Sequence, residues 1–233
     1  LLMSYVGTQA INGALYPKLP FDPVADFMPV ATLATLPFVL VTRANAPWQN
    51  VAQLVEAADK GRISYGSAGN GSVNHLLGEL FNGAANRKLV HVPYRGAAQA
   101  LQDLMGGQID LVFTSLPSVS AMLRGGTLRA IAVTSARRAA AFPEIPTIAE
   151  AGFRDFDVNP WFGLMAPRRT PPDVVRRINA DVNELLRTKA VIDSFSAQGA
   201  EPAPASPQEF ARQLQDDAVK WGALVRSSGA RVD

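Results

Sequence analysis

The chain has 233 residues, of which 48% are hydrophobic, and this length accommodates one large domain or two smaller lobes with ordinary folded cores. Its 22 Lys and Arg residues almost balance 20 Asp and Glu residues, and a net charge of +2 argues against a nucleic-acid partner. The sequence contains no cysteine, which excludes disulfides, thiolate catalysis and cysteine-bound metal.

The N-terminal residues predict a strand that begins with the first residue of the chain. Residues 1–4 are Leu-Leu-Met-Ser, and they show neither the basic flank nor the small-residue cleavage site of a signal peptide. We therefore expect that upstream sequence is missing from this chain. No apolar run approaches the ~20 residues that span a bilayer, so we expect no direct membrane insertion.

The first part of the chain contains local signals for strands and short helices. Residues 7–15 predict a strand-to-helix turn, which a proline-rich segment closes. The apolar run from 30 to 41 predicts one or two buried strands interrupted at Pro37. Asn50 and Gln53 have the spacing of a capping box, which indicates the start of a helix.

Strand and helix patterns then alternate regularly through the middle of the chain. Strands are predicted over 63–66, 89–92, 109–113 and 128–133, and helices over 73–81, 97–105 and 119–123. This alternation indicates right-handed βαβ crossovers and a mostly parallel sheet, in which ligands bind at the carboxyl ends of strands. Polar stretches follow such strand ends at residues 66–72, 94–96 and 114–115.

The stretch Gly-Ser-Ala-Gly-Asn-Gly-Ser at residues 66–72, hereafter the Gly/Ser turn, is the strongest candidate for a ligand site. Its three glycines permit backbone conformations that bring main-chain N–H groups close to a guest. From Ser72 onward apolar residues recur at helical spacing, so the positive end of a helix dipole faces back into the turn. This arrangement suits an anion, either a carboxylate or a phosphate.

The last part of the chain is mainly helical. Residues 157–164 predict a strand that is entered through a proline. Helices are predicted over 170–186, 190–195 and 206–228. Ser206 and Glu209 have the spacing of a capping box at the start of the last helix.

The residues around the Gly/Ser turn do not match the motifs of reactive sites. Tyr65 occupies the first glycine position of a serine-hydrolase turn around Ser67, so that motif fails. The turn also lacks the Gly-Lys-Ser/Thr ending of a phosphate-binding P-loop and the glycine spacing of a dinucleotide-binding loop. We therefore expect no bound cofactor, and no enzyme that acts through Ser67 or His75.

The two histidines, His75 and His91, lack the i, i+4 spacing of helical metal ligands, and we expect no metal site. For His91, a local hydrogen bond is the simplest interpretation. His75 shares a predicted helix face with Ser72 and Glu79. A ligand-contacting or supporting role for His75 therefore stays open beside the simple hydrogen-bonded alternative.

Five segments, taken in order, carry a resemblance to a known family. They are residues 64–76 (Ser-Tyr-Gly-Ser-Ala-Gly-Asn-Gly-Ser-Val-Asn-His-Leu), 92–96 (Val-Pro-Tyr-Arg-Gly), 106–110 (Gly-Gly-Gln-Ile-Asp), 143–151 (ending Pro-Thr-Ile-Ala-Glu-Ala) and 161–164 (Trp-Phe-Gly-Leu). With these segments the chain resembles the Bug-type (TctC-like) solute-binding receptors of tripartite tricarboxylate transporters over nearly its whole length.

The resemblance implies an α/β fold of the two-lobed periplasmic binding protein kind (type II, Venus-flytrap-like), with mostly parallel sheets flanked by helices. Residues 1–41 and 160–233 would form the first lobe and 42–159 the second, with crossings near 41–43 and 158–160. The first lobe would be incomplete, because nothing in this chain matches the strand and glycine-rich turn with which the family begins.

The resemblance also implies a periplasmic receptor that binds a small organic carboxylate in the cleft between lobes and delivers it to the membrane subunits of a transporter. Thr114 and Ser115 stand where many members carry an aspartate, so we expect acids without an amino group. The effector-sensing domain of a transcriptional regulator is the alternative, since it would share the two-lobe architecture.

The resemblance and the strand ends together define the expected ligand-binding residues. The family's anion-holding positions correspond to Ser67, Ala68, Gly69, Gly71 and Ser72 in the Gly/Ser turn, and to Thr8 and Gln9 in the first lobe. Further candidates are the strand-end residues Tyr94, Thr114 and Ser115, and Trp161 as an aromatic that either lines the cleft or packs in the core.

Overall fold

The computed structural model describes residues 1–232, and its backbone divides into two compact units. Unit 1 comprises Leu1–Leu36 and the chain from Pro160 onward, and unit 2 comprises Pro37–Asn159. The first crossing therefore lies between Leu36 and Pro37 rather than at the expected residues 41–43. The reason is that the strand that follows Pro37 pairs with two strands of unit 2 along nearly its whole length.

Unit 1 contains one sheet with helices packed against it. Its strands are β1 (Leu2–Tyr5), β2 (Phe27–Thr35), β8 (Trp161–Pro167) and β9 (Glu201–Pro202). Its helical segments are a π-helical turn (Gly7–Ile11), α1 (Asn12–Leu15), α6 (Pro172–Leu186), α7 (Lys189–Gln198) and α8 (Pro207–Ser228).

The sheet of unit 1 has the order β1-β8-β2-β9, and every pairing found in the described residues is antiparallel. The prediction of mostly parallel sheets is therefore wrong for this unit. β1 and β2 point in the same direction, but β8 runs against both and lies between them. This insertion joins segments far apart in the chain, so the local strand patterns do not reveal it.

Helices α6 and α8 pack on the sheet of unit 1 through apolar stripes. Val175 of α6 shares a buried cluster with Val30 and Ala31 of β2. The buried stripe of α8 follows helical spacing and consists mainly of Phe210, Leu214, Trp221 and Val225. At the start of α8, Ser206 and Glu209 form the expected capping box.

Unit 2 contains the regular alternation of strands and helices that the sequence predicts. Its strands are β3 (Phe38–Arg43), β4 (Ser64–Ser67), β5 (Val90–Pro93), β6 (Leu111–Ser115) and β7 (Leu128–Val133). Its helices are α2 (Val51–Lys60), α3 (Val73–Ala85), α4 (Ala97–Gly106) and α5 (Leu116–Arg124).

The sheet of unit 2 has the order β5-β4-β6-β3-β7. β4 is parallel to both β5 and β6, whereas β3 is antiparallel to its neighbours β6 and β7. Ser67 lies opposite Pro93 of β5, and Gly66 lies opposite Val112 of β6. The carboxyl ends of β4, β5 and β6 therefore meet at one edge of the sheet.

Helix α3 lies close to β4 because a glycine faces the strand. A Cβ atom at Gly78 would lie 2.2 Å from the ring of Tyr65, so a larger residue would push the helix away. Tyr65 is fully buried, and its hydroxyl donates a hydrogen bond to Glu79 Oε1 at 2.6 Å. These contacts place the first turn of α3 next to the carboxyl end of β4.

None of the helices formed by residues 1–232 is both long enough and apolar enough to cross a membrane. The 22-residue helix α8, for example, carries exposed charges at Arg212, Asp216 and Lys220.

Candidate functional site

The candidate site lies at the edge of unit 2 where β4, β5 and β6 end. The backbone N–H of Tyr94 donates to the carbonyl of Ser67 at 3.1 Å, which continues the β4–β5 pairing past the strands. The side-chain amide of Asn74, in the first turn of α3, donates to the carbonyl of Phe113 in β6 at 2.6 Å. The Gly/Ser turn is thereby bordered by the ends of both neighbouring strands.

The Gly/Ser turn has a backbone shape that depends on glycine. Gly69 has φ +116° and Gly71 has φ +73°, both in the region that side chains disfavour. Ser72 caps α3, since its hydroxyl oxygen accepts from the N–H of His75 at 3.3 Å and its hydroxyl donates to the carbonyl of Gly69 at 2.7 Å. The turn and the start of α3 form one hydrogen-bonded structure.

Several groups that the resemblance assigned to the ligand are used inside the turn. The N–H of Gly69 donates to Ser67 Oγ at 3.1 Å, and the N–H of Gly71 donates to His75 Nδ1 at 3.0 Å. The N–H of Ser72 donates to the carbonyl of Gly69 at 3.2 Å. In this structure, therefore, Gly69, Gly71 and Ser72 shape the turn with the N–H groups that were expected to bind the anion.

The first turn of α3 offers two backbone N–H groups to an anion. Within residues 1–232, the backbone N–H groups of Val73 and Asn74 donate to no carbonyl, as expected for the first turn of a helix. α3 has 13 residues, so its dipole places partial positive charge at the same position. Ala68, partly exposed, lies at the other end of the turn.

The two histidines form a stacked pair beneath the turn, which the sequence did not predict. Their ring centroids are 3.9 Å apart and their planes differ by 16°. His91 Nε2 lies 2.6 Å from Ser67 Oγ, and the His91 ring also stacks on Tyr65. The expected hydrogen bond of His91 thus exists, and its partner is a residue of the Gly/Ser turn. The pairing register Tyr65–His91 produces this contact, and register is not readable from either strand alone.

Burial sets the protonation behaviour of both histidines. It lowers the pKa of His75, and the nearby charge of Glu79 opposes this shift. Burial also lowers the pKa of His91 to about 4, with the charge of His75 acting in the same direction. Both rings are therefore neutral at pH 7. Across residues 1–232, no group of three or more His, Cys, Asp or Glu residues is arranged to bind a metal ion.

The other strand-end candidates of unit 2 differ in accessibility. The Tyr94 hydroxyl donates to Asp103 Oδ2 on α4 at 2.7 Å; burial and this carboxylate raise the pKa of Tyr94 to about 12. Thr114 is 1% exposed and pairs with Val39 of β3. Ser115 is partly exposed, with its hydroxyl 2.6 Å from that of Ser118. Of these residues, Tyr94 and Ser115 border accessible space.

The candidates of unit 1 are only partly suited to a ligand. Thr8 is exposed, and its hydroxyl donates to the carbonyl of Tyr5 at 2.9 Å. Gln9 is 3% exposed, and its amide donates to the carbonyl of Pro23 at 2.7 Å and contacts Met165 Sδ at 3.2 Å. Thr8 remains a candidate. Gln9 requires a correction, because its amide nitrogen already binds the core of unit 1.

Trp161 also requires a correction, since the structure places it in the core of unit 1. Its side chain is fully buried and packs edge-on against Phe210, with ring centroids 4.9 Å apart. Its indole N–H donates to Asp217 Oδ2 at 2.6 Å, and burial raises the pKa of this carboxyl group. An inaccessible ring cannot contact a ligand, so the core-packing alternative describes Trp161.

The sequence and fold of the chain are similar to those of receptors of transport systems. The family model described as "Tripartite tricarboxylate transporter family receptor" matches residues 2–230. Protein BugT of Bordetella pertussis (strain Tohama I) is 35% identical over 234 residues, a match that covers 100% of this chain and 72% of BugT. The chain spans between 65% and 68% of the length of four other curated relatives.

Two similar solved structures contain dicarboxylates. An R. palustris protein solved with adipate has a TM-score of 0.89 and 33% identity, over 99% of this chain and 78% of that one. MatC from Rhodopseudomonas palustris, solved with bound malate, has a TM-score of 0.81 and 30% identity, over 96% of this chain and 78% of that one.

Proposed function

Because the chain belongs to the receptor family of tripartite tricarboxylate transporters, we propose that it binds a small organic carboxylate and delivers it to the membrane subunits of such a transporter. Members of this family are periplasmic solute-binding receptors, and receptors of this kind are not enzymes. The family predicted from the five sequence segments is confirmed. No observation favours the alternative of a regulator's sensing domain.

The start of α3 is the observation that supports an anionic ligand. The N–H groups of Val73 and Asn74 and the dipole of α3 combine at the Gly/Ser turn, which suits a carboxylate oxygen. The histidines below the turn are neutral at pH 7, so the helix supplies the attraction. Ligand contacts by Thr8, Ala68, Tyr94 and Ser115 form part of the same proposal.

Adipate and malate in the two similar structures support a dicarboxylate for this chain as well. Thr114 and Ser115 at the end of β6 are uncharged, so these two positions offer no carboxylate to pair with a ligand ammonium group. We therefore propose that the ligand is a small dicarboxylate without an amino group.

Thermal-shift and calorimetric binding measurements on the full chain test this proposal. Malate, adipate and succinate are compared with aspartate, which has the succinate skeleton with an added ammonium group. A dicarboxylate present at 100 times its Kd would stabilise the protein by about 2.7 kcal/mol, and aspartate is expected to have a weaker effect. Absence of stabilisation by every carboxylate would overturn carboxylate binding, and a preference for aspartate would overturn the expected ligand class.

Delivery to a transporter is tested separately. Uptake of the identified carboxylate is measured in cells that contain the membrane subunits of a matching tripartite transporter, with and without this protein. We expect uptake only when the protein is present. Equal uptake in its absence would overturn the delivery role and leave the binding result unaffected.

A further inference from the structure

The hydrogen bond between Gly71 and His75 determines which tautomer His75 adopts. The backbone N–H of Gly71 can only donate, so Nδ1 of His75, 3.0 Å away, must present a lone pair. The ring proton of a neutral His75 therefore resides on Nε2. Gly71 is also the residue whose left-handed backbone turns the chain into α3, with φ +73°. The acceptor on His75 thus supports the most constrained point of the Gly/Ser turn.

The His91 ring supports the opposite end of the same turn. His91 Nε2 lies 2.6 Å from Ser67 Oγ, and this oxygen accepts from the N–H of Gly69 at 3.1 Å. Since the two imidazole rings are stacked with centroids 3.9 Å apart, a proton added to one ring disfavours a proton on the other. The pair therefore contacts both ends of the turn, and the hydrogen bond from Gly71 requires the His75 ring to be neutral.

The ionisable groups around the histidine pair come from three elements. Glu79 lies on α3 one turn beyond His75, and its carboxylate accepts from the hydroxyl of Tyr65 on β4 at 2.6 Å. Tyr65 stacks on His91 of β5, and burial together with Glu79 raises the pKa of its hydroxyl. Glu79 favours a charged His75, but burial has the larger effect and lowers the pKa of the ring. The surroundings therefore favour neutral rings.

We propose that His75 is a positioning residue of the carboxylate site: neutral His75, stacked on His91, maintains the binding shape of the Gly/Ser turn, and its protonation weakens carboxylate binding. This inference rests on the proposed function, because it assumes that the turn binds a carboxylate. A proton on Nδ1 would replace an acceptor with a donor directed at the N–H of Gly71. The hydrogen bond would be lost, and Gly71 would have to move away from α3.

A charged His75 would also attract an anion. This attraction would strengthen carboxylate binding, whereas the loss of the Gly71–His75 hydrogen bond would weaken it. The loss of turn geometry affects every N–H group that faces the ligand, whereas the added charge lies beneath the turn. Acidification is therefore expected to decrease the affinity for carboxylates. If the charge effect were larger, the affinity would increase instead, so the two effects are distinguished by the sign of the pH dependence.

The test uses His75→Asn, because the Asn Oδ1 atom lies near the position of Nδ1 and accepts a hydrogen bond without titrating. Binding of malate and adipate to the full chain is measured by calorimetry between pH 5 and pH 8 for wild type and for this variant. Because both proteins are measured with the same ligand at each pH, a change in the ionisation of the ligand affects both affinities equally. Because burial lowers the pKa of His75, we expect wild-type affinity to fall more than that of His75→Asn between pH 7.5 and pH 5, with the difference greatest at the acid end.

Two further measurements keep the inference testable if a variant folds poorly. His75→Phe keeps a stacked ring but removes the acceptor, and it is expected to bind more weakly than His75→Asn at every pH. Nitrogen NMR of the wild-type imidazoles reports the tautomer directly, and we expect the Nε2–H form of His75 at pH 7. A protonated Nδ1 at pH 7 would overturn the inference without reference to any ligand.

The outcomes separate this inference from the proposed function. Parallel pH profiles for wild type and His75→Asn, or a wild-type affinity that rises on acidification, would overturn the role of His75 while carboxylate binding stands. If wild type bound no carboxylate at any pH, the proposed function would fail, and the inference that rests on it would fail with it.

Discussion

The imidazole rings of His75 and His91 lie face to face, with centroids 3.9 Å apart and planes 16° from parallel. One ring comes from a helix and the other from a strand, and both contact the Gly/Ser turn. The same two side chains therefore affect both the stability of the protein at low pH and the shape of the candidate ligand site.

His91→Gln is expected to reduce the loss of stability at low pH. The pKa of His91 is about 4 in the folded protein and about 6.5 in the unfolded chain. Below pH 6.5 the unfolded chain takes up a proton that the folded protein excludes, so stability falls as the pH decreases toward 4. Because the ring is partly exposed, we expect about 1–2 kcal/mol of this loss to be absent in the variant.

Urea unfolding of the ligand-free protein between pH 7 and pH 4 measures this difference. Gln keeps a polar atom near the position of Nε2, so Ser67 retains a hydrogen-bond partner and the two proteins should be similar at pH 7. An equally steep loss of stability in both proteins would show that folding does not lower the pKa of His91.

Gly71→Val is expected to weaken carboxylate binding at least tenfold. A β-branched residue at φ +73° is strained by about 1–3 kcal/mol. Residue 71 can relieve this strain by leaving the left-handed conformation, which changes the shape of the turn. Calorimetry with malate and adipate measures the loss of affinity. Gly83→Ala on α3 is the matched control, because a Cβ there meets no atom within 4 Å and both affinity and fold should be retained. Wild-type affinity in Gly71→Val would contradict a role for the turn.

Asn74→Ala is expected to destabilise the protein by about 1–3 kcal/mol. The side-chain amide of Asn74 is buried and donates to the carbonyl of Phe113 at 2.6 Å, so its removal leaves a buried acceptor without its donor. Denaturant unfolding measures the change. The exposed Asn70 provides the matched control, since Asn70→Ala should change stability by less than about 0.5 kcal/mol. Equal effects of the two substitutions would contradict this bond between α3 and β6.

Trp161→Phe is expected to lower stability by about 1–3 kcal/mol while leaving carboxylate affinity unchanged. The substitution removes the N–H donor to Asp217 and some of the surface that packs against Phe210. Trp48→Phe is the control: within the described residues the buried indole N–H of Trp48 has no partner, so this substitution removes similar ring volume without a hydrogen bond and should cost less than Trp161→Phe. A specific loss of affinity in Trp161→Phe would restore Trp161 as a candidate ligand residue.

Features that depend on neighbouring residues were predictable from the sequence. The Gly/Ser turn, the start of a helix directly after it and the capping box at Ser206 follow from the residue types at fixed spacing. The order of strands and helices in unit 2 follows from hydrophobic periodicity, and its strands form where they were predicted, with small shifts at the ends. Five short segments were sufficient to predict the family.

The tertiary structure decided which polar groups remain available to a ligand. Gln9 and Met165, or Trp161 and Asp217, meet across long stretches of chain, and such contacts bury side chains that residue type alone makes plausible ligand contacts. The insertion of β8 between β1 and β2 and the stacking of His75 on His91 also depend on contacts between separate elements of the chain. The sequence by itself determined where an anion-binding turn could form, because short-range geometry governs glycine turns and helix starts. Only the packing of distant segments decided which of the other candidate side chains are buried and hydrogen-bonded within the protein, as Gln9 and Trp161 are.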